Sequence, residues 1–168
     1  MASADVVKIT VTGRGGHAST THWATDPVPV ACEIVLALQS MITRTVNAFD
    51  PAVRTVSVIE AGTTDNVIPE TVTLTGTLRA VSEHTRHAVW TSIEQVATGV
   101  AGAHGCTVQV EIVQGYPVTV NDPALARNDG RVARTAELDK VIGDWCAAHD
   151  LDHVLEVLAA AQVPSGKI

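Results

Sequence analysis

The stretch TVTLTGTLR, residues 71–79, alternates between two kinds of side chain along its whole length. Val72, Leu74 and Leu78 share one face with Gly76, and the other face consists of threonines and Arg79. A period of two predicts a β-strand with one buried and one solvent-facing side, as in antiparallel sheets. Threonine adds to this prediction because its branched side chain favours strands.

The same alternation occurs three more times along the chain. Its apolar members are Val7, Ile9 and Val11; Val56 and Val58; and Val108, Val110 and Ile112. Two segments with helical spacing separate these strands. Asp26 and Pro27 are typical of the N-cap and first residue of a helix, Ser82 of a second N-cap, and Gly105 of the position after a helix end. The sequence therefore predicts an α+β fold of ferredoxin-like order, β-α-β-β-α-β, with a four-stranded antiparallel sheet and two helices on one face.

The composition changes after Tyr116. The stretch PVTVNDPALARNDGR contains two prolines, two Asn-Asp pairs and a glycine, which is typical of a linker. Helical stripes then follow, with Asp150 as a cap between them. We predict a folded domain at 5–120, a linker at 121–132 and a C-terminal helical hairpin at 133–168.

Charge and composition exclude several classes of function. The net charge of −7 over 168 residues argues against a general nucleic-acid surface, which needs basic clusters. No signal peptide and no apolar run of about 20 residues is evident, so we expect no membrane segment and a cytoplasmic location. Cys32, Cys106 and Cys146 have no paired spacing, which predicts buried free thiols.

The loop GRGGHASTTHWATDP, residues 13–27, admits three interpretations. Its glycines do not match a phosphate-binding pattern, and the next helix begins too late to hold a phosphate beside them. His17 and His22 have no Asp, Glu or Cys at ligand spacing, which disfavours a self-contained zinc site. On pattern alone, a glycine turn with solvated histidines is the default.

Four motifs in order carry a resemblance to a known family. VTGRGGHAS, GTTDNVIPETVTLTGTLR, AGAHGCTVQVE and GYPVTVNDPALA span about residues 5–126. This part resembles the lid, or dimerisation, domain of zinc-dependent amidohydrolases and metallopeptidases, such as hippurate hydrolases, aminoacylases and glutamate carboxypeptidases. The resemblance implies that the lid itself holds no metal or other cofactor. Zinc is bound by a separate catalytic domain, and the subunits pair through their lids.

The same resemblance implies roles for three residues. His17 contacts the carbonyl oxygen of the scissile amide in the partner subunit's site, where a preorganised donor stabilises the developing oxyanion. Asn66 contacts substrate, and Arg79 pairs with its free carboxylate, which a guanidinium fork matches. His22 has a family counterpart that usually follows proline, whereas Thr21 stands here, so its role stays open. The other histidines are expected to be solvated: His84, His87, His104, His149 and His153.

The C-terminal segment resembles a different family. From about residue 127, RTAELDKVIGDW and VLEVLAAAQVPSGKI are similar to part of the class III CoA-transferases of the formyl-CoA and carnitine-CoA type. In that family the catalytic Asp lies far upstream of such a segment. The alternative is an unrelated helical hairpin.

The resulting hypothesis is the dimerisation and substrate-capping lid of an N-acyl-amino-acid amidohydrolase, inactive without a metal-binding domain. We expect a homodimer, an N-acyl amino acid as substrate, and neither nucleic acid nor membrane as a partner. One alternative is a subunit that completes the active site of a separately encoded metal domain. Another is a stand-alone module for self-association or for carboxylate binding through Arg79.

Overall fold

The computed structural model describes residues 1–121 and 128–160. The chain divides into two compact units, Met1–Val120 and Asn121–Ile168. The strands of the first unit are β1 (Asp5–Thr12), β2 (Gly16–His17), β3 (Ala52–Ala61), β4 (Val67–Ile68), β5 (Thr71–Ala80) and β6 (Thr107–Gln114). Its helices are a 3-10 helix (Ala18–Trp23), α1 (Pro27–Thr45) and α2 (Glu83–Ala103).

Four strands form the main sheet in the order β3-β5-β1-β6, and all neighbours are antiparallel. The central strand β1 pairs with β5 from Asp5 opposite Leu78 to Thr12 opposite Thr71. The strands β2 and β4 form a separate two-stranded sheet. This order confirms the predicted β-α-β-β-α-β arrangement and its four-stranded antiparallel sheet.

Both helices pack on one face of the sheet, as predicted. The core combines strand residues Val7, Ile9, Val11, Val72, Leu74 and Leu78 with helix residues Ile34, Leu38, Val89, Ile93, Ala97 and Ala101. The predicted caps are present: Asp26 accepts a hydrogen bond from the Val28 N–H at 2.9 Å, and Ser82 from the Thr85 N–H at 3.1 Å. Gly105 follows α2 with a φ of +70°, the left-handed conformation that glycine adopts without strain.

The edge strand β3 departs from the predicted alternation. Its register with β5 shifts between Val56 and Val58, which marks a β-bulge. The bulge adds a residue, so the following side chains change face. Val58 is therefore exposed, and its predicted place on the core face is wrong. Opposite the bulge, a Cβ on Gly76 would lie 1.9 Å from the Thr55 carbonyl oxygen, which explains a glycine in the apolar register.

Helix α1 is long and apolar enough, by length and composition, to cross a membrane, contrary to the sequence expectation. In the folded unit its residues Ile34 and Leu38 are fully buried against the sheet. A helix that buries one stripe in the core of a domain can meet the same length and composition criteria as a membrane span. Cys32, on the same helix, is exposed because it lies outside this buried stripe. Cys146, in the second unit, is exposed as well. The prediction of buried thiols therefore holds for Cys106 alone.

The second unit contains helices α3 (Asn128–Ala147) and α4 (Leu151–Ala160). Asp150 caps α4 as predicted, because its Oδ1 accepts from the His153 N–H at 2.9 Å. Helix α3 begins inside the predicted linker at 121–132, since one glycine costs a helix only about 1 kcal/mol. Parts of the predicted linker and hairpin, 122–127 and 161–168, lie outside the described residues. The three domain limits stay predictions.

Candidate functional site

The small sheet of β2 and β4 brings two predicted site residues together. His17 lies opposite Val67 in this sheet, and the Ala18 N–H donates to the Asn66 carbonyl oxygen at 3.0 Å. His17 and Asn66 are therefore close in space although they are far apart in sequence. Both residues are exposed, so their side chains are accessible to a ligand or to another chain.

The glycines before His17 allow backbones to approach one another closely. A Cβ on Gly13 would lie 2.0 Å from the Thr25 carbonyl oxygen, and one on Gly15 would lie 2.9 Å from the Ile68 carbonyl oxygen. Arg14, between them, exchanges two backbone hydrogen bonds with Thr25, each of 2.9 Å. Glycine at these positions lets the loop pack directly against the backbone of its surroundings.

The imidazole of His17 is held by the residue two positions later. The Ser19 N–H donates to Nδ1 of His17 at 3.1 Å, and the Ser19 hydroxyl lies 2.8 Å from the same nitrogen. The Thr20 hydroxyl donates to the His17 carbonyl oxygen at 3.2 Å. Sequence reasoning did not single out Ser19. The signal was available, because serine beside a turn commonly bonds to nearby groups of its own loop.

Asn66 ends the turn that leads into β4. Its side-chain oxygen accepts a hydrogen bond from the Thr64 hydroxyl at 3.2 Å, and its backbone carbonyl oxygen accepts one from the Ala18 N–H. A groove of about 370 Å³ lies beside this turn, with Asp26, Asp65 and Val67 among its lining residues. The groove gives the end of the sheet a concave surface next to His17 and Asn66.

Arg79 lies elsewhere in the same chain. It is exposed near the end of β5 that pairs with Val53, whereas the loop of His17 adjoins the other end, where Gly13 bonds to Glu70. Eight residue steps of strand lead from Thr71 to Arg79, which corresponds to about 26 Å. Within one chain, Arg79 therefore lies far from His17 and Asn66. The sequence places Arg79 at the far end of the strand that follows Asn66, so it predicts that the three residues meet across a dimer axis, and this stays a prediction.

His22 and the remaining histidines occupy other positions. His22 is exposed in the 3-10 helix, with its ring 5.0 Å from that of Trp23. His104 bonds to Glu33 at 2.8 Å, and His149 stacks on His153 at 4.9 Å. In residues 1–121 and 128–160, no group of three His, Cys, Asp or Glu side chains is placed to hold a metal ion. The described residues therefore do not fit the zinc that the resemblance implies for the whole enzyme.

Comparison with curated proteins gives relatives for the first unit. The chain is 45% identical over 122 residues to the N-acetyldiaminopimelate deacetylase of Streptococcus pneumoniae serotype 19F, a match that covers 72% of this chain and 32% of the relative. The same deacetylase from strain P1031 matches equally well, at 45% identity over 122 residues. The chain thus spans about a third of the length of the curated relatives it matches.

Solved structures have the same fold. A protein of methicillin resistant Staphylococcus aureus, described as an aminohydrolase, is 28% identical with a TM-score of 0.72, and the match covers 81% of this chain and 36% of that one. A dinuclear metal binding peptidase of the M20 family from Bacillus subtilis is 27% identical with a TM-score of 0.62, covering 82% of this chain and 32% of that one.

Two family models match the chain. The peptidase dimerisation domain matches residues 3–105, and CoA-transferase family III matches residues 55–168. The second match begins well before residue 127, where the sequence resemblance starts. The residues shared by the two matches, 55–105, contain most of β3 and all of β5 and α2, which build one sheet and core with β1. The chain therefore belongs to the peptidase dimerisation domain family, whose model matches residues 3–105, and to CoA-transferase family III, whose model matches residues 55–168.

Proposed function

We propose that the first unit is the dimerisation and substrate-capping lid of an amidohydrolase that acts on N-acyl amino acids. The observation that carries this proposal is the pairing of β2 with β4, which sets His17 beside Asn66 at one exposed end of the sheet. An imidazole on β2 and an amide in the turn before β4 suit contacts with an amide substrate and its oxyanion.

His17 would act as a hydrogen-bond donor. Attack on the scissile amide places negative charge on its carbonyl oxygen, and a donor already in position stabilises that charge without reorganisation. The loop supports this requirement because two-stranded pairing, close glycine contacts and Ser19 all restrict His17. The attacking water and its activation belong to another domain in this proposal.

The described residues supply no metal site, while a relative of known structure is a dinuclear metal binding peptidase. We therefore infer that this chain requires a metal-binding catalytic domain for hydrolysis, and that zinc would be held there. No catalytic step at a metal is assigned to the residues of this chain.

Self-association through β3 is the second part of the proposal. This strand is an edge of the sheet, and Val53, Ile59 and Val58 on it are 63%, 55% and 43% exposed. An edge with exposed apolar side chains is a surface for pairing with another strand. Leu36 of α1, 71% exposed, adds an apolar residue on the helical layer.

Matched lysine substitutions on the two edge strands test this surface. Ile59→Lys on β3 should convert a dimer to a monomer in light scattering at tens of micromolar, because a charged side chain opposes edge pairing. Val113→Lys on β6, at 51% exposure against 55% for Ile59, should leave the dimer intact. A wild-type monomer, or a dimer that survives Ile59→Lys, contradicts pairing through β3.

A graft of this unit into a full-length relative tests the role of His17. The graft should hydrolyse an N-acyl amino acid with added Zn²⁺, and His17→Ala should lower kcat by about 10²–10³, the usual loss for one oxyanion donor. His84→Ala, an exposed histidine at the start of α2, is the matched control. Arg79→Ala should mainly raise KM for a carboxylate-bearing substrate. Full activity in the His17→Ala graft would contradict the proposal.

The unmodified chain separates the alternatives. Hydrolysis that appears only when a catalytic-domain fragment is added favours a subunit that completes a separate metal domain. A rise in melting temperature with an N-acyl amino acid, lost in Arg79→Ala, favours a stand-alone carboxylate-binding module, because a ligand that binds only the native state stabilises it.

A further inference from the structure

We propose that Ser19 is a positioning residue that fixes the tautomer of His17, so that Nε2 carries the proton and is presented as a donor. This inference rests on the proposed role of His17 at the scissile carbonyl. Its basis is the pair of contacts from Ser19 to Nδ1, 3.1 Å from the backbone nitrogen and 2.8 Å from the hydroxyl.

The tautomer follows from which groups can accept a hydrogen bond. A backbone N–H can only donate, so Nδ1 of His17 must offer its lone pair to the Ser19 N–H. In neutral imidazole the two nitrogens have opposite roles, and Nε2 then holds the hydrogen. The Ser19 hydroxyl, 2.8 Å from the same unprotonated nitrogen, donates to it as well.

Other contacts in the loop involve its backbone, whereas Ser19 contacts the His17 ring. The Ala18 N–H bonds to Asn66, and the Thr20 hydroxyl bonds to the His17 carbonyl oxygen. His17 itself is the N-cap of the 3-10 helix, with extended φ and ψ of −76° and 133°. The helix start therefore places the Ser19 donors beside the ring, while its neighbours hold the main chain.

The selected tautomer determines whether His17 can serve the proposed chemistry. With the proton on Nε2, the ring presents a donor to a carbonyl oxygen. With the proton on Nδ1, Nε2 would present a lone pair to that oxygen and repel it. Ser19 thus acts through His17 without touching the substrate. Loss of the Ser19 N–H, as in Ser19→Pro, should shift the tautomer ratio by about threefold to tenfold, the usual effect of one hydrogen bond. The hydroxyl can donate to Nδ1 or accept from it, so its loss should change the ratio little.

The test is nitrogen-15 NMR of the histidine rings in the full chain, with His17→Gln identifying the His17 signals. The wild type should show an unprotonated Nδ1 and a protonated Nε2. Ser19→Pro, which removes the backbone donor in the first turn of the 3-10 helix where proline is tolerated, should raise the Nδ1-protonated population by about threefold to tenfold. Ser19→Ala, which keeps that donor, should retain the wild-type ratio. Thr20→Val, which removes a contact to the backbone and not to the ring, is the matched control and should change nothing.

Two results would overturn the inference: a wild-type ring protonated at Nδ1, or a Ser19→Pro ring with an unchanged tautomer ratio. An equal shift in Thr20→Val would also overturn it, since general loosening of the loop would then be the cause. The measurement needs no catalytic domain. An unchanged ratio in Ser19→Pro would remove the role of Ser19 and leave the hydrolase proposal standing, whereas a wild-type ring protonated at Nδ1 would also contradict the donor role of His17. Full activity of the His17→Ala graft would contradict that role and leave the tautomer result standing.

Discussion

A buried ion pair at the start of β1 gives a prediction whose size follows from the structure. Asp5 is 2% exposed, and its carboxylate accepts hydrogen bonds from Arg86 Nε at 2.9 Å, Trp90 Nε1 at 3.2 Å and the Gly115 N–H at 3.2 Å. Arg86 is 4% exposed and also contacts Glu83 at 3.0 Å. One carboxylate therefore connects β1 to α2 and to the segment after β6.

Asp5→Asn should destabilise the first unit by about 3 kcal/mol. Breaking a buried ion pair from one side costs about 3–5 kcal/mol, because the remaining charge loses its partner. The lower end applies here since Glu83, whose side chain is 43% exposed, still contacts Arg86. The loss is a large fraction of the 5–15 kcal/mol typical of a domain, and corresponds to a fall in Tm of roughly 10–15 °C.

The loss of stability in Asp5→Asn should depend on pH in a defined direction. Burial raises the pKa of Asp5, but hydrogen bonds from Arg86, the Gly115 N–H and Trp90 outweigh burial and hold this pKa below its ordinary value. A lowered pKa in the folded state contributes stability above the unfolded value of about 4, and this contribution is lost as the pH falls through the folded value. The difference between wild type and Asp5→Asn should therefore shrink below about pH 4.

Urea unfolding followed by circular dichroism at pH 7 and at pH 3 measures both effects. Glu83→Gln is the control, because a solvent-exposed partner should contribute little to the stability of the ion pair. The double variant Asp5→Asn with Arg86→Met should cost less than Asp5→Asn alone, since it leaves no unpaired charge. An Asp5→Asn cost no larger than that of Glu83→Gln, or one that does not change with pH, refutes the reasoning.

Three further predictions concern the first unit. Arg54 is 6% exposed and its Nε has no hydrogen-bond partner among the described residues, so Arg54→Met should raise the free energy of unfolding by about 1–3 kcal/mol at pH 7. Burial lowers the pKa of Arg54 to about 10, so the gain over wild type should decline as urea melts are repeated above that pH. Gly13→Ala should cost about 1–3 kcal/mol because its Cβ would meet Thr25, whereas Gly99→Ala, with open space around it in α2, should gain up to about 1 kcal/mol in thermal melts. A chain cut after Ala126 should keep a cooperative melt, because the strands and helices of the first unit already share one core.

Local signals predicted the main elements because their causes lie close together in sequence. The alternation in β1, β5 and β6 reflects a sheet with one covered face, and Asp26 and Ser82 bond to amides only two or three residues away. The bulge in β3 was not predictable from that strand alone. It depends on the partner strand, where Gly76 allows the close approach.

The candidate site was predictable only in part, because contacts between segments far apart in sequence bring its residues together. The residue types at His17 and Asn66 could be identified from motifs, but β2 and β4 are two-residue strands with no periodicity to detect. The pairing of β2 with β4 is a tertiary contact. It depends on glycines for which the local sequence pattern predicted only a turn. The position of Arg79 was predictable from local signals, since it lies 13 residues after Asn66 at the far end of a strand that the alternation predicts.

The topology nevertheless offers a route by which the three residues could meet. Strand β3 starts beside Arg79, because Val53 pairs with it, and ends at Ala61, opposite Val72 and near the end of the sheet that carries the His17 loop. Two β3 strands paired antiparallel about a two-fold axis would set the start of one against the end of the other. Arg79 would then lie on β5 only two strand spacings, about 10 Å, from the end of the partner's β3.

A mixture of two impaired variants, assayed at a substrate concentration well below the KM of Arg79→Ala, tests this route in the grafted enzyme. If one site takes Arg79 from one subunit and His17 from its partner, a heterodimer of His17→Ala and Arg79→Ala subunits contains one intact site and one site that lacks both residues. Random reassociation of equal amounts should then restore about a quarter of wild-type activity, because about half of the dimers are mixed and half of their sites are complete. If both residues of a site come from the same chain, every site carries one defect and mixing restores nothing. Activity that stays at the mean of the two variants after subunit exchange, verified by mass spectrometry, would exclude a site shared between Arg79 and the partner's His17.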